Sequence, residues 1–470
     1  MKLSILHQKT KALAILFVCC FAATFSQAQD ITGEWNGMLY APGMNLRIVF
    51  HIEKTGEGYT STMDSPDQRA TGIPVTTTTF ADSKLSLSIA GLGIAYEGEL
   101  KADSIEGIFK QSGLSMPMTL KREAIEVKPV ARPQEPKPPY PYISEDLTFE
   151  NKSAGISLAG TLTMPSTGAN FTTVILITGS GAQNRNEEIM EHKPFLVIAD
   201  YLTRHGIAVL RYDDRGTAQS TGDFRTATTA DFATDVESAI TYLKSRKEIN
   251  PQKIGLIGHS EGGVIAPMVA SRSKDVGFIV MLSGSGLRGD ALLLKQNKLI
   301  AEASGMSADK IAQAENINSK IYDKIVQAEG VVSMQEMTSL LTTLKDELID
   351  MIPEGTQVDD FIKNTAASST IPWIQYFLRY DPAPALEKVR CPVLAVNGSK
   401  DLQVPAEENL AAIGEVLKKG GNNKVTIKEY PGLNHLFQEC NTGLPTEYAT
   451  IEQTFSPVVL KDMANWILTH

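Results

Sequence analysis

The sequence predicts an α/β fold, a doubly wound and mostly parallel sheet with a helical cap insertion, preceded by a separate small all-β domain. Three observations predict it. From residue 30 to about residue 122 apolar side chains recur with period two. A proline-rich segment follows. Beyond it, short continuous apolar runs alternate with helical stretches. A chain of 470 residues has room for about two to three domains.

The first 28 residues are expected to be removed as a signal peptide. Lys2, Lys9 and Lys11 form a positive start, and Ala12 to Phe25 is an apolar run too short for a comfortable membrane span. Ser26-Gln27-Ala28 puts small residues at the two positions a signal peptidase reads, which predicts cleavage after Ala28 and export to the periplasm or medium. Removal of three lysines and no acids takes the net charge from -10 to -13. An acidic mature chain argues against nucleic acid and anionic membranes as partners. No stable membrane anchor is expected, since no later segment is apolar for long enough to span. Cys391 and Cys440 remain after cleavage, and the sequence leaves open a disulfide or two free thiols. No Cys/His spacing suggests a metal site.

Residues 30–125 read as a small antiparallel barrel or sandwich. In "LRIVFHIEK" Leu46, Ile48, Phe50 and Ile52 share one face. Leu85, Leu87 and Ile89 continue the pattern, then Ile94, Tyr96 and Leu100, then Ile105 and Phe109, then Met116, Met118 and Leu120. The opening Gly33-Glu34-Trp35-Asn36-Gly37 resembles the Gly-x-Trp first strand of lipocalin-like barrels, with Trp35 as a core plug. The linker, residues 126–143, is "VKPVARPQEPKPPYPY" at its heart, and so many prolines favour an extended, semi-rigid spacer.

Residues 144–470 carry the second pattern. The runs "TTVILITG", "IAVLRYD", "KIGLIGH", "VGFIVMLSG", "PVLAVNG" and "KVTIKEY" read as strands buried on both faces under helices. About a hundred residues between Gly284 and Arg390 hold only helical periodicity, too much for a plain crossover. Residues from about 287 to 385 are therefore read as a cap over the carboxyl ends of the strands, where such sheets bind ligands.

The chemistry starts at "IGLIGHSEGG". A Gly-x-Ser-x-Gly between a strand and a helix puts Ser260 on a sharp turn, a strained position with little room for neighbouring side chains. Gly258 and Gly262 supply that room, and the helix starting at Glu261 aims its free N–H groups and positive end at the same cleft. The Glu261 N–H is a candidate oxyanion donor, and its carboxylate reads as an ordinary charge at a helix N-terminus.

A serine nucleophile needs a base. Of seven histidines, His7 leaves with the signal, and His51 lies in the N-terminal domain. His192 and His205 precede the serine, His259 is expected to point away across the strand, and His470 is terminal. His435, in "YPGLNHLFQ" after the last strand, remains. The orienting acid is Asp401, in the loop past the penultimate strand, with Glu407 and Glu408 as alternatives that read as first-turn helix charges. The order Ser260, Asp401, His435 is the one expected on such a sheet.

With "GHSEGG", "NGSKDLQVP", "GLNH" and "TGSGAQNRNEE" assembled, residues from about 145 to 470 resemble the α/β-hydrolase superfamily, and within it bacterial serine esterases and serine aminopeptidase-like hydrolases. The resemblance implies an acyl-enzyme mechanism with no metal or organic cofactor. It also implies a second oxyanion N–H from the loop Thr178-Gly179-Ser180-Gly181. The family's usual histidine is Thr178 here, which leaves Ser180 and Gly181 both open as that donor. "YDDRGTAQSTG" is similar to a loop common in these hydrolases, and Asp214 and Arg215 are read as a structural charge pair within it. In "IPWIQYFLRYDPAPAL" the aromatics Trp373, Tyr376, Phe377 and Tyr380 have helical spacing. Core packing accounts for some of them, and Trp373, Tyr376 and Phe377 are candidates to wall an acyl pocket. The expected substrate is a small ester or acyl compound. The alternatives are a peptidase, for which no amine-binding subsite is visible, and a non-catalytic protein whose barrel holds the ligand.

Overall fold

Residues 30–470 are described by a computed structural model, apart from 42–43, 57, 69, 112–113, 127–129 and 353–355. The expected signal peptide, with Cys19 and Cys20, and the first residues of the proline-rich segment lie outside the described residues.

Nine strands form the N-terminal sheet: β1 (Gly33–Ala41), β2 (Met44–Thr55), β3 (Gly58–Ser65), β4 (Ala70–Pro74), β5 (Thr77–Ala81), β6 (Lys84–Ile89), β7 (Ile94–Lys101), β8 (Ser104–Gln111) and β9 (Leu114–Lys121). The spatial order is β4-β3-β2-β1-β9-β8-β7-β6-β5, all antiparallel. It is one curled sheet rather than a sandwich of two. The ends approach where Val75 N–H donates to Ser61 O at 3.1 Å and the Ser61 and Thr78 hydroxyls lie 2.7 Å apart.

The period-two apolar residues point inward and fill the centre. Trp35, Phe50, Tyr96 and Phe109 are all buried there. Tyr96 fits because the facing pair Gly98 and Gly107 leaves a notch, in which a Cβ at either glycine would lie 2.7 Å from the tyrosine ring or hydroxyl. Its hydroxyl donates to Ile105 O and Met118 O, 2.9 and 3.1 Å away, so the buried polar atom is satisfied. Trp35 is the core plug that was expected. Its indole N–H donates to Ile31 O at 2.8 Å, and Arg122 stacks 3.9 Å over the ring.

The second sheet contains β10 (Ile143–Asn151), β11 (Ile156–Met164), β12 (Phe171–Ile177), β13 (Ala208–Tyr212), β14 (Ile249–His259), β15 (Phe278–Leu282), β16 (Val393–Gly398) and β17 (Val425–Tyr430). Its order is β10-β11-β13-β12-β14-β15-β16-β17. All pairings from β13 to β17 are parallel; β10 and β11 add an antiparallel edge that the sequence reading did not include. The outer strand β17 is largely exposed, unlike the buried strand expected there; among the described residues it is the edge of the sheet.

Alternate side chains of β12 enter two cores. Val174 and Leu176 pack with α1 (Pro194–Arg204) and α12 (Pro457–Thr469). Ile175 and Ile177 pack with α2 (Thr229–Lys244), α3 (Glu261–Ala270) and α11 (Ala406–Lys419). The cap between β15 and β16 comprises α4 (Gly289–Ala303), α5 (Ala308–Gln327), α6 (Met334–Thr343), α7 (Lys345–Leu348), α8 (Val358–Ser369) and α9 (Pro372–Arg379), followed by the short α10 (Ala383–Leu386). It has its own core of Ile321, Ile325, Met337, Leu341, Ile362 and Leu378.

The proline-rich segment is clamped to the second sheet's loops. Arg132 donates to Ile451 O, Ala449 O and Met190 O, and the Gln134 amide bonds Phe455 O and the N–H groups of Thr454 and Phe455. No described helix is long and apolar enough to cross a membrane, and Cys391 and Cys440 are free thiols.

Candidate active site

Ser260 sits between β14 and α3 at φ 54°, ψ −115°, a conformation that side chains rarely adopt. The glycines around it are demanded by close approach. A Cβ at Gly258 would lie 1.9 Å from Gly262 O, and one at Gly262 would lie 2.1 Å from Ile177 O. The turn is tied to β15 by Ser260 N–H donating to Leu282 O at 2.9 Å.

His435 follows β17 and meets Asp401, which follows β16. Its Nδ1 lies 2.8 Å from Asp401 Oδ2, and both side chains are buried. The other carboxylate oxygen, Oδ1, accepts the N–H groups of Gln403 and Val404 at 2.9 and 2.8 Å. An ionised carboxylate only accepts, so Nδ1 carries the proton and Nε2 of the neutral ring is left as the base. The alternatives are placed elsewhere. Glu407 is exposed on α11, and Glu408 pairs with Lys295 at 2.5 Å. His51 bonds Asp64 in the barrel, while His192 is buried against Thr454 and Tyr448 O.

His259 does not simply turn away from the centre. Its Nδ1 lies 2.9 Å from Glu187 Oε1 and its Nε2 lies 3.0 Å from His435 O, with the two imidazole rings 4.8 Å apart. Glu187 Oε1 also accepts Gly179 N–H at 2.7 Å. Glu187 lies in the segment "TGSGAQNRNEE", but the sequence assigned it no role of its own; its positive φ of 51° and burial appear only in the fold.

On the oxyanion side, Gly179 comes so near Ser260 that a Cβ there would lie 3.2 Å from the serine Cβ. With the Gly179 N–H taken by Glu187, Ser180 and Gly181 are left as candidate donors. Both Ser180 and Gly181 are exposed, but Ser180 lines the same cavity as Ser260 and Gly181, at φ +101°, is not among its lining residues. Behind this loop Asp214 accepts from the Thr178 hydroxyl at 2.7 Å and from Gln183 N–H at 2.9 Å. Burial drives its carboxyl well above the usual range, and the charges of Glu261 and Glu187 add to this while the two hydrogen bonds oppose it. Asp214 and Arg215 do not pair with each other: Arg215 reaches Asp235 on α2, 2.7 Å away.

The Glu261 carboxylate is no exposed helix-end charge. It is buried beneath the cap, where Oε1 accepts from Thr229 on α2 at 2.7 Å and from the Trp373 indole N–H on α9 at 2.8 Å. Burial pushes its carboxyl up to about 7, against the pull of those two bonds. A cleft of about 260 Å³ opens over Ser260 and Glu261 under a largely apolar wall that includes Val264, Leu292, Trp373 and Phe377. Trp373 and Phe377 stack at 5.1 Å on one face of α9. Tyr376 is not among the cleft residues. It is stacked on Tyr380 at 5.8 Å and packed toward the core of α2 and α3, because neighbouring positions such as Tyr376 and Phe377 lie about 100° apart around a helix. Among the described residues, no cluster of three or more His, Cys, Asp or Glu could hold a metal ion.

A serine on a strained strand-to-helix turn, with a histidine–carboxylate pair in the loops after the last two strands and a cap above, defines an α/β-hydrolase serine hydrolase. Residues 130–428 match the X-Pro dipeptidyl-peptidase (S15) family, and the chain belongs to it. The matched span includes Ser260 and Asp401 and stops short of His435. The chain is 26% identical over 325 residues to esterase EstD of Thermotoga maritima, covering 68% of each protein. It is 25% identical over 229 residues to the uncharacterized protein YfhR of Escherichia coli K12, covering 47% of this chain and 76% of that one. The solved Pyrococcus furiosus esterase Pf2001 aligns with 70% of this chain and 93% of its own, at 16% identity and a TM-score of 0.42.

Proposed function

We propose that this hydrolase is exported and cleaves small carboxylic esters through an acyl-enzyme on Ser260, Asp401 and His435. The observation that carries the reading is the placement of His435 Nδ1 on Asp401, 2.8 Å away, in loops beside the strained Ser260 turn. Ser260 Oγ attacks the acyl carbonyl while His435 Nε2 takes its proton. Asp401 keeps the imidazole oriented and stabilises its positive form. The N–H groups of Glu261 and Ser180 hold the developing oxyanion. His435 then returns the proton to the leaving alcohol, and water releases the acyl group by the same steps in reverse. Trp373 and Phe377 wall the acyl side of the cleft, which suits a small apolar acyl group. The name of the EstD relative agrees with this substrate class.

One observation favours a second reading, a peptidase acting on small peptides. Glu261 puts a buried carboxyl group, with no cationic partner among the described residues, on the cleft, where a substrate ammonium could pair with it, and the family is named for X-Pro dipeptidyl-peptidases. The test is a panel of p-nitrophenyl esters beside Xaa-Pro and aminoacyl p-nitroanilides. Faster turnover of esters is expected. Faster cleavage of an amide than of the matching ester would overturn the esterase reading in favour of the second.

A further inference from the structure

We propose that Glu187 and His259 form a positioning pair, an imidazolium–carboxylate couple that holds the oxyanion loop, the nucleophile turn and the loop of His435 in one arrangement. The inference rests on the serine hydrolase reading of the site, and it concerns residues outside the reacting groups.

The geometry sets the protonation state. Nδ1 of His259 faces a carboxylate oxygen at 2.9 Å, and Nε2 faces the His435 carbonyl oxygen at 3.0 Å. The His435 carbonyl only accepts, and an ionised Glu187 only accepts, so with that carboxylate charged both ring nitrogens donate and the ring is positive. Other groups around the ring agree. Glu187 and Asp401 are the negative charges that act on it, His435 is the titratable ring beside it, and Phe195, Leu282, Leu436 and Phe455 are apolar. Burial works against the charge, but the Glu187 charge and hydrogen bond, the His435 carbonyl and Asp401 outweigh it, and the imidazole is held above its ordinary value.

The couple joins three loops from distant parts of the chain. Glu187 Oε1 accepts both His259 and Gly179 N–H, the residue immediately before the oxyanion candidate Ser180. His259 is covalently joined to Ser260. Its second N–H grips the backbone of the residue that supplies the base. Asp401 orients the His435 ring; His259 places the backbone from which that ring extends. Each hydrogen bond is charge-assisted and shielded from water, which strengthens it.

A pH signature follows. As pH rises through the pKa of His259 the ring loses one proton and one of the couple's three hydrogen bonds. Turnover should then fall on the alkaline side. The fall should appear in kcat, since Ser260, the oxyanion donors and His435 shift relative to one another while the acyl wall of Trp373 and Phe377 stays.

The experiment compares wild type with Glu187→Gln and His259→Gln on p-nitrophenyl acetate across the pH range, with circular dichroism as a check on folding. Glu187→Gln is the sharper probe, because its amide oxygen can still accept from Gly179 while the negative charge is gone. It should lower kcat by about a hundredfold with little change in KM, and move the alkaline limb toward acid by about one pH unit or more. A folded Glu187→Gln protein with wild-type kcat and an unmoved alkaline limb would overturn the proposal. NMR of wild type with isotope-labelled histidine gives a readout independent of activity and of any variant's ability to fold. Two N–H protons on His259 at neutral pH support the couple, and a single proton overturns it. A wild type that hydrolyses nothing in the panel and takes no fluorophosphonate would sink the serine hydrolase reading, which the NMR result does not depend on.

Discussion

The two sheets treat buried polar groups in opposite ways. In the barrel, aromatic volume fills the centre and the tyrosine hydroxyl there is satisfied by two carbonyls of its own sheet. At the strand ends of the second sheet Glu187, Asp214, His259, Glu261, Asp401 and His435 are all buried within one neighbourhood. Burying ionisable groups costs stability unless each is paired or neutralised. The barrel is organised for packing, whereas the second sheet accepts that cost to pre-orient groups around one serine.

The largest effects should separate chemistry from folding. Ser260→Ala should abolish ester hydrolysis and the fluorophosphonate adduct. Asp401→Asn and His435→Ala should each lower kcat by about three to four orders of magnitude, with circular dichroism unchanged. If Asp401→Asn stays near wild type while Glu408→Gln is crippled, the acid has been misassigned.

Next is the barrel. Trp35→Ala removes a buried indole and the seat of Arg122, and should cost about 3–5 kcal/mol of barrel stability. Calorimetry should show an early transition falling away while Ser260 remains reactive to the probe at room temperature. Loss of Ser260 labelling in step with that transition would show that the two sheets fold as one unit.

Glu261 tests the cost of buried charge in the second sheet. Its carboxyl is held at about 7 in the fold and near 4.5 in the unfolded chain. Between those values the unfolded chain holds fewer protons than the folded one, so folding stability falls as pH rises from about 4.5 to about 7 and then levels off. The shift corresponds to at most about 3 kcal/mol. Glu261→Gln keeps an oxygen for Thr229 and Trp373 but cannot ionise, and its melting temperature should be flatter than that of wild type over this window. Equal slopes for the two proteins would show that Glu261 is paired or solvated when ionised.

The contrast between the sheets also explains what was legible in the sequence. Alternating apolar residues declare a barrel interior, and continuous runs declare central parallel strands. Ser260, Asp401 and His435 each lie within a few residues of the end of a strand, so strand order brings them to one end of the sheet. β10 and β11 were not legible because, as an antiparallel edge, "ISEDLTFEN" carries no continuous apolar run. Glu187 lies in a loop without periodicity, 72 residues from His259, and only the fold brings them together. Tyr376 was misplaced because helical spacing groups aromatics into faces without saying which face meets the cleft.

The smallest expected effect concerns the join between the regions. The proline-rich segment was read as a spacer, yet Arg132 and Gln134 bind residues 449–455 beside the site. Tyr448, in the same stretch, accepts from the Gln403 side chain at 2.8 Å, and Gln403 lines the cleft. Two truncations therefore differ. A chain beginning at Val130 keeps both clamps and should hydrolyse p-nitrophenyl acetate about as fast as the full protein. A chain beginning at Tyr140 loses them and frees the 449–455 stretch, but every residue in the proposed mechanism remains. Its turnover should stay within about tenfold, or about 1.4 kcal/mol of barrier, with the deficit larger in KM than in kcat because the cleft wall, rather than the His435–Asp401 pair, loses support. If both chains fold by circular dichroism and both are inactive on every ester the full protein accepts, the barrel itself helps to build the active site. If they are equally active, the clamps are merely a path for the chain.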